Sequence, residues 1–470
     1  MTESGRPSPF SALFDRGAAA TDGEAWLRAM LDTEAALARA LERARVVPPG
    51  SGAAVTAAAA VENIQNAALA AAAAATGNPV PGLVKALTER VPGEARGAVH
   101  RGATSQDIID TAAMLLAARV IDSAAADVSA AAEHAARLAE EHARTVMTGR
   151  TLLQQAVPVT FGLVAAGWLT AIDEALAGLR RVRDTRLAVQ FGGAGGTLAS
   201  LGEAGPAVAE LLADELGLSV PVLPWHTNRL RIVELAAALA GMCAALGKIA
   251  RDVTLLAQNE VAEVRAGGAG GASAAGGSST MPHKQNPVAA VVVLGCAKRA
   301  PGLLATLTAA AEQEHQRAAG AWHAEWEPLS DLLRLTGSAT AWAADLLGGL
   351  VVDKDRMRAN LDSAGGLPLA EKAAALLAPA LGRLAAHDLV ARAAARATSE
   401  HIPLADAMLA DPDAATALGT AGIGRAEFEA ALNPESYLGA TAEFIRRALA
   451  AHATGNGQKT FRTRPQRPST

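Results

Sequence analysis

The sequence predicts an all-α protein, and three observations carry that expectation. Aromatic residues are only 3% of the 470, and alanine, the strongest helix former, recurs throughout a chain poor in the aromatic side chains that strands favour. Leu235, Leu239, Met242, Leu246, Ile249, Val253 and Leu256 are spaced alternately by four and three residues, the seam of helices packed almost parallel in a bundle. Half of the residues are hydrophobic and 19% are charged, which excludes a largely disordered chain and provides for a sizeable buried core.

Taken along the chain, the first block with chemical content is His100-Arg101-Gly102-Ala103-Thr104-Ser105-Gln106-Asp107. Thr104 and Asp107 have the spacing of a capping box that opens a helix through Ile108, Ile109 and Ala112. Such a helix start also attracts anions through its unpaired N–H groups and its dipole. The glycine cluster 192–196 lacks the Gly-x-Gly-x-x-Gly spacing and a strand before it, so a dinucleotide site is not expected. Trp225-His226-Thr227-Asn228-Arg229 reads as a helix start, with Thr227 or Asn228 as cap and Trp225 packed as a staple. From there a helix of about 50 Å is expected over about residues 228–264. The Gly/Ala/Ser-rich stretch 266–277 reads as a flexible linker, and the basic tail 455–470 as disordered. Further breaks are expected at 92–93, 191–196, 218–225 and 365–368.

Charge and composition narrow the partners. Lys plus Arg number 42 against 47 Asp plus Glu, a net charge of −5, so no basic excess invites nucleic acid. Cys243 and Cys296 lie far apart in apolar runs, giving neither a disulfide framework nor a metal cluster and fitting a reducing compartment. No segment is expected to supply the about 18 apolar residues of a membrane span, the longest candidates being 67–75 and 288–297. The first residues lack a signal-peptide pattern. A cytoplasmic protein with no membrane partner is the expectation.

The most informative run is Gly277-Ser278-Ser279-Thr280-Met281-Pro282-His283-Lys284-Gln285-Asn286-Pro287. Glycines let backbone N–H groups converge on an anion, and such hydrogen bonds would lower the pKa of a serine and make it a base. Lys284 and Asn286, two residues apart, can grip a carboxylate. By its residues alone the run reads equally as a mobile surface linker followed by a turn.

The run resembles the Gly-Ser-Ser-x-Met-Pro-x-Lys-x-Asn motif of the fumarase/aspartase superfamily. Residues 99–111, 225–229, 276–287, 314–327 and 433–439 are similar to the blocks of its carboxymuconate cycloisomerase subfamily, and the likeness spans about residues 9–450. The resemblance implies a three-domain helical subunit, divided at 1–112, 113–353 and 354–454. It also implies a homotetramer with a core of about twenty long helices, and sites shared between subunits. Ser278 would then move the proton on carbon, with His100 and His226 as further acid/base candidates. Lys284, Asn286 and Ser279 would bind the carboxylate that gains charge, while Thr104, Ser105, Thr151, Gln154 and Arg317 would place the rest of a small polycarboxylate. No cofactor or metal is implied. The cluster 314–327, rich in His, Trp and Glu, has no fixed ligand spacing for a metal.

Departures from the family sharpen the reading. In Gly149-Arg150-Thr151-Leu152-Leu153-Gln154-Gln155 the histidine that serves many relatives as acid or base is Leu152, and a second frequent histidine is Gln155. The glutamate that partners that histidine falls on Val291. These losses argue against fumarase or aspartase chemistry and fit the cycloisomerase branch. Arg150 reads as a structural ion-pair residue. Glu325 matches a glutamate that adenylosuccinate lyases carry, but Trp326 replaces the arginine beside it, which speaks against a phosphorylated substrate. The alternatives are a fumarate-releasing lyase acting on the C–N bond of a succinyl-type substrate, and a non-catalytic structural protein on the same scaffold.

Overall fold

The computed structural model describes Phe10 and residues 12–17, 20–64, 66–266, 281 and 284–456. The expected linker 266–277 (apart from Ala266), Ser278, Ser279 and residues 457–470 of the expected tail lie outside the described residues. The elements that position the site are helices α1 (Gly23–Arg43) and α2 (Ser105–Glu141), strands β1 (Val146–Thr151) and β2 (Gln154–Thr160), and helices α3 (Phe161–Thr185) and α4 (Leu230–Leu256). After them come strand β3 (Val264–Ala266), helices α5 (Val288–Ala309) and α6 (Trp326–Gly348), and strand β4 (Leu350–Val352). Among the described residues the all-α expectation holds but for two small antiparallel sheets, β1–β2 and β3–β4.

The chain forms two compact units. The first comprises residues 1–129, 174–250 and 289–344, and the second residues 130–173, 251–288 and 345–470. In the first unit α1 starts at Asp22, whose Oδ1 accepts the Ala25 N–H at 2.9 Å, and it buries Leu27, Leu31, Leu37 and Leu41. The four-three seam of α4 is buried along its whole length. Thr336 of α6 donates to the Leu332 carbonyl of its own helix at 2.8 Å and meets Cys243 Sγ of α4 at 3.5 Å. A Cβ on Gly247 would stand 2.5 Å from the Ala297 Cβ, so a glycine inside α4 is what lets α5 lie against it, at the usual helix-propensity cost of about 1 kcal/mol. Cys243 and Cys296 are free and buried, and burial pushes their thiols up to about 11 and about 12.

The long helix is shorter than the expected 228–264. It ends at Leu256; the Glu263 N–H then bonds the Leu256 carbonyl at 2.9 Å, and Val264 pairs with Val352 as a strand residue. Beyond Leu256 the heptad spacing has no further apolar member to bury, and the chain turns. The count of apolar runs also needs correcting. Phe161–Thr185, Leu230–Leu256 and Val288–Ala309 are each long and apolar enough to cross a membrane by length and composition. Charged residues, in places adjacent pairs such as Asp173-Glu174 and Lys298-Arg299, interrupt their apolar runs.

In the second unit, Trp168 of α3 is buried and donates Nε1–H to Asp252 at 2.7 Å. A C-terminal helical cluster closes around Leu377, Leu389, Leu404, Met408, Leu418 and Phe428. Replacing Leu239, fully buried in the seam, with alanine should cost about 2–5 kcal/mol, read as a lower midpoint in urea unfolding followed by circular dichroism.

Candidate active site

In the first unit the polar groups gather around the start of α2. The Asp107 carboxylate, almost fully buried, accepts the Thr104 N–H at 3.0 Å, which is one half of the expected capping box. It also accepts the N–H groups of Gly192 at 3.1 Å and Gly193 at 2.9 Å, and it lies 2.7 Å from His226 Nε2. Only glycine fits the loop above it. A Cβ at 192 would stand 2.7 Å from Pro224 and 2.9 Å from the His226 ring, and Gly193 has φ +67. The glycine cluster is therefore a loop drawn down onto a carboxylate. Arg317 ties the same loop from the other side: it donates to the Gly193 and Ala194 carbonyls at 3.3 and 2.8 Å and to Gln106 Oε1 at 3.0 Å. Expected to clamp a substrate carboxylate, Arg317 instead directs both terminal nitrogens at protein acceptors.

Beneath this layer lies a buried charge network. Arg229 donates to both oxygens of Asp110 and to Glu325, at distances from 2.5 to 3.2 Å. Trp322 and Gln106 complete Asp110, and Gln313 completes Glu325. Burial works against the Arg229 charge, but the two carboxylates hold its pKa above the ordinary value. Burial likewise raises the Glu325 carboxyl, against the pull of Arg229. Glu325 is thus part of the support under the loop. Of the two expected caps of α4, Asn228 accepts the Leu230 N–H at 3.4 Å, while the Thr227 hydroxyl donates to the His315 carbonyl at 2.9 Å.

His100 sits at the turn before α2 with φ +55. Its N–H donates to Glu34 Oε2 at 3.0 Å, and its Nδ1 lies 2.7 Å from Glu34 Oε1. Desolvation opposes its charge, but the hydrogen bond and charge of Glu34, with the charge of Asp107, raise its pKa above the usual histidine value. Thr104 and Ser105 follow at half-buried positions. His226, by contrast, is only 4% exposed, and its Nε2 is occupied by Asp107. That geometry makes it a loop-holding group.

In the second unit, Thr151 and Gln154 face each other as the last pair of the β1–β2 hairpin. The two residues between them, Leu152 and Leu153, have φ +50 and +63 and are 97% and 74% exposed. Positive φ at both central residues is the pattern of a type I′ turn, which asparagine and glycine normally occupy. Arg150 makes the expected ion pair, bidentate to the buried Glu263 at 2.8 and 2.6 Å, and Asn360 donates to the same carboxylate. Lys284 is exposed and Asn286 half-buried, and Lys284 forms no ion pair among the described residues. The structure thus brings His100, Thr104, Ser105, His226 and Arg317 into one unit, and Thr151, Gln154, Lys284 and Asn286 into the other. Glu34 was not legible in the sequence, because an acid 66 residues from its partner on an apolar helix face leaves no local signal.

The lyase family model matches residues 23–302, and a model described as the adenylosuccinate lyase C-terminus matches residues 366–448. The chain is 46% identical to 3-carboxy-cis,cis-muconate cycloisomerase of Bradyrhizobium diazoefficiens, over 92% of this chain and 94% of that one. It is 44% identical to nitrosuccinate lyase of Streptomyces davaonensis, over 96% and 95% respectively. The crystal structure of the 3-carboxy-cis,cis-muconate lactonizing enzyme from Pseudomonas putida superposes with a TM-score of 0.87 at 41% identity, covering 96% of this chain and all of that one.

The buried network yields a stability prediction. Arg229→Met leaves Asp110 and Glu325 without a counter-charge, and breaking a buried pair in this way costs about 3–5 kcal/mol. The variant should unfold at markedly lower urea concentration than the parent, by tryptophan fluorescence.

Proposed function

This chain belongs to the lyase family, and on that premise we propose that it is a cycloisomerase of aromatic (protocatechuate) catabolism. It would interconvert 3-carboxy-cis,cis-muconate and a carboxymuconolactone. The observation that carries the reading is the likeness, along nearly the whole chain, to an enzyme named for that reaction. The residues agree with it. A carboxylate of the substrate adds to the conjugated alkene and closes the lactone, and the electron pair moves onto the carbon beside a second carboxylate. That carboxylate becomes dianionic, so the site needs fixed donors where the charge develops and one group to protonate the carbon. Ser278 supplies the proton, and Lys284 and Asn286 hold the charged carboxylate together with Ser279. Thr104, Ser105, Thr151 and Gln154 donate to the remaining carboxylates. His100 faces the substrate, while His226 and Arg317 shape the loop that surrounds it. The nucleophile is tethered to its target, so positioning supplies much of the rate, and no cofactor enters the balance.

The same reading makes the protein a cytoplasmic homotetramer whose sites draw on several subunits. What supports an oligomer is the apolar surface a lone subunit leaves in water: Leu152, Leu153, Val222 and Leu223 are each at least 74% exposed.

A second reading has its own support, the equally full-length likeness to a nitrosuccinate lyase. Removing a proton beside one carboxylate of nitrosuccinate and expelling nitrite from the neighbouring carbon leaves fumarate, with the same charge developing on carboxylate. One experiment separates the two. Purified enzyme should bleach the diene absorbance of 3-carboxymuconate, with the lactone identified by NMR. Release of nitrite and fumarate from nitrosuccinate, with the diene untouched, would replace the first reading by the second.

Ser278→Ala should lower kcat at least about 10²-fold, and near-normal turnover would refute its role. Lys284→Met should raise KM and slow turnover together, measured by initial rates across substrate concentration.

A further inference from the structure

The carboxylate of Glu34 is fully buried on an otherwise apolar face of α1, between Leu31 and Leu37. A buried charge among apolar side chains is costly unless hydrogen-bonded, and both of its oxygens are directed at a single residue, His100, through the main-chain N–H and ring Nδ1. His100 in turn holds a left-handed backbone conformation, φ +55, that side chains other than glycine rarely adopt. A strained backbone and a buried acid, both bearing on one imidazole, form an arrangement that folding alone does not require. The imidazole is not enclosed: its side chain remains 20% exposed. With Nδ1 engaged by Glu34, Nε2 is the ring nitrogen left for another partner, and the charge of Asp107 at the start of α2 bears on the ring.

We propose that Glu34 is a positioning residue for the reaction: it fixes the His100 ring with Nδ1–H directed into the helix layer, so that His100 presents a protonated Nε2 to a substrate carboxylate. This rests on the functional reading above, in which a polycarboxylate binds at the start of α2. A carboxylate that accepts Nδ1–H sets the tautomer, orients the ring and favours the imidazolium. The charged groups bearing on the ring are Glu34 from α1 and Asp107 from α2, both negative, and the His100 pKa is raised accordingly. The sign follows. The active form is the protonated one, so kcat/KM falls as pH rises through the His100 pKa, and removing the Glu34 charge moves that fall to lower pH.

The test is Glu34→Gln, which keeps an acceptor for the main-chain N–H and removes only the charge, alongside Glu34→Asp, which keeps the charge. With histidine labelled at 13Cε1, the His100 resonance is identified among the ten histidines by its loss in His100→Asn and titrated in each protein. The expected result is a His100 pKa lower by about one unit or more in Glu34→Gln. The alkaline limb of kcat/KM should move down by the same amount, with KM rising more than kcat falls, and Glu34→Asp should lie between Glu34→Gln and the parent. An unchanged His100 titration overturns the proposal, as does a lowered pKa with an unmoved alkaline limb. If Glu34→Gln loses its circular dichroism signature of folding, the comparison of Glu34→Asp with the parent decides in the same way. A parent protein inactive on both 3-carboxymuconate and nitrosuccinate sinks the functional reading instead, and the titration still reports whether Glu34 controls the His100 charge.

Discussion

A buried carboxylate cannot stay ionised without donors, and Asp107 shows how much architecture that single requirement organises. It stands at the first turn of α2, where unpaired N–H groups and the helix dipole favour a negative charge. It still draws in the N–H groups of Thr104, Gly192 and Gly193 and the ring of His226. Three separate stretches of chain are thereby fixed to one another within hydrogen-bond distance. The loop 192–196 has no secondary structure of its own to define it; its shape is that of the donors a carboxylate demands. Arg317 closes it from outside, and the Asp110–Arg229–Glu325 network supports it from below. A site that must hold a polyanion has to keep its own charges from collapsing inward, and here the buried charges are satisfied by protein before any substrate arrives.

Much of this was readable in one dimension, and the reason lies in what local spacing encodes. The seam from Leu235 to Leu256 is buried as its period requires, because helix packing repeats with the sequence. Thr104 and Asp107 met as half of a capping box, and Arg150 met an acid. What spacing cannot encode is a contact between distant segments. Glu34 carries no local signal, and the glycines 192–196 read only as a break, until the fold brings His100 and Asp107 to them. His226 was an acid/base candidate by resemblance alone, and no local spacing announces that its ring meets Asp107, 119 residues away, in the interior.

The hairpin tip was hidden for another reason. Leu152 and Leu153 carry no turn signature, since two leucines are ordinary helix residues, yet the strands force them into the left-handed region. The register explains how. Thr151 pairs with Gln154, which leaves exactly two residues to reverse the chain, and a two-residue reversal that follows the strand twist has positive φ at both positions. Gly149 absorbs the register shift further down, where a Cβ would stand 2.7 Å from the Val157 carbonyl. Strain and exposed apolar surface are both unfavourable in an isolated subunit. Their coincidence at one tip is understandable if the tip is shaped for an assembled state.

The chemistry that such a tip permits is constrained by what it lacks. With leucine at 152 and valine at 291, both exposed, neither position can pass a proton to a departing group. An amine or hydroxide leaves carbon only when it is protonated on the way out, so a chain without a proton carrier at these two positions is poorly suited to them. A carboxylate expelled from a lactone, or nitrite expelled from a nitroalkane, is already a stable anion and departs unassisted. The two proposed substrates, unlike as they are, therefore share one demand in the elimination direction: remove a proton beside a carboxylate, stabilise the charge that follows, and let an anion go. In the lactone-forming direction the same demand runs backwards, with the carboxylate arriving as a nucleophile that needs no base. On the proposed reading, leucine at 152 is a mark of the leaving group, and the chemistry is left with a single proton to manage.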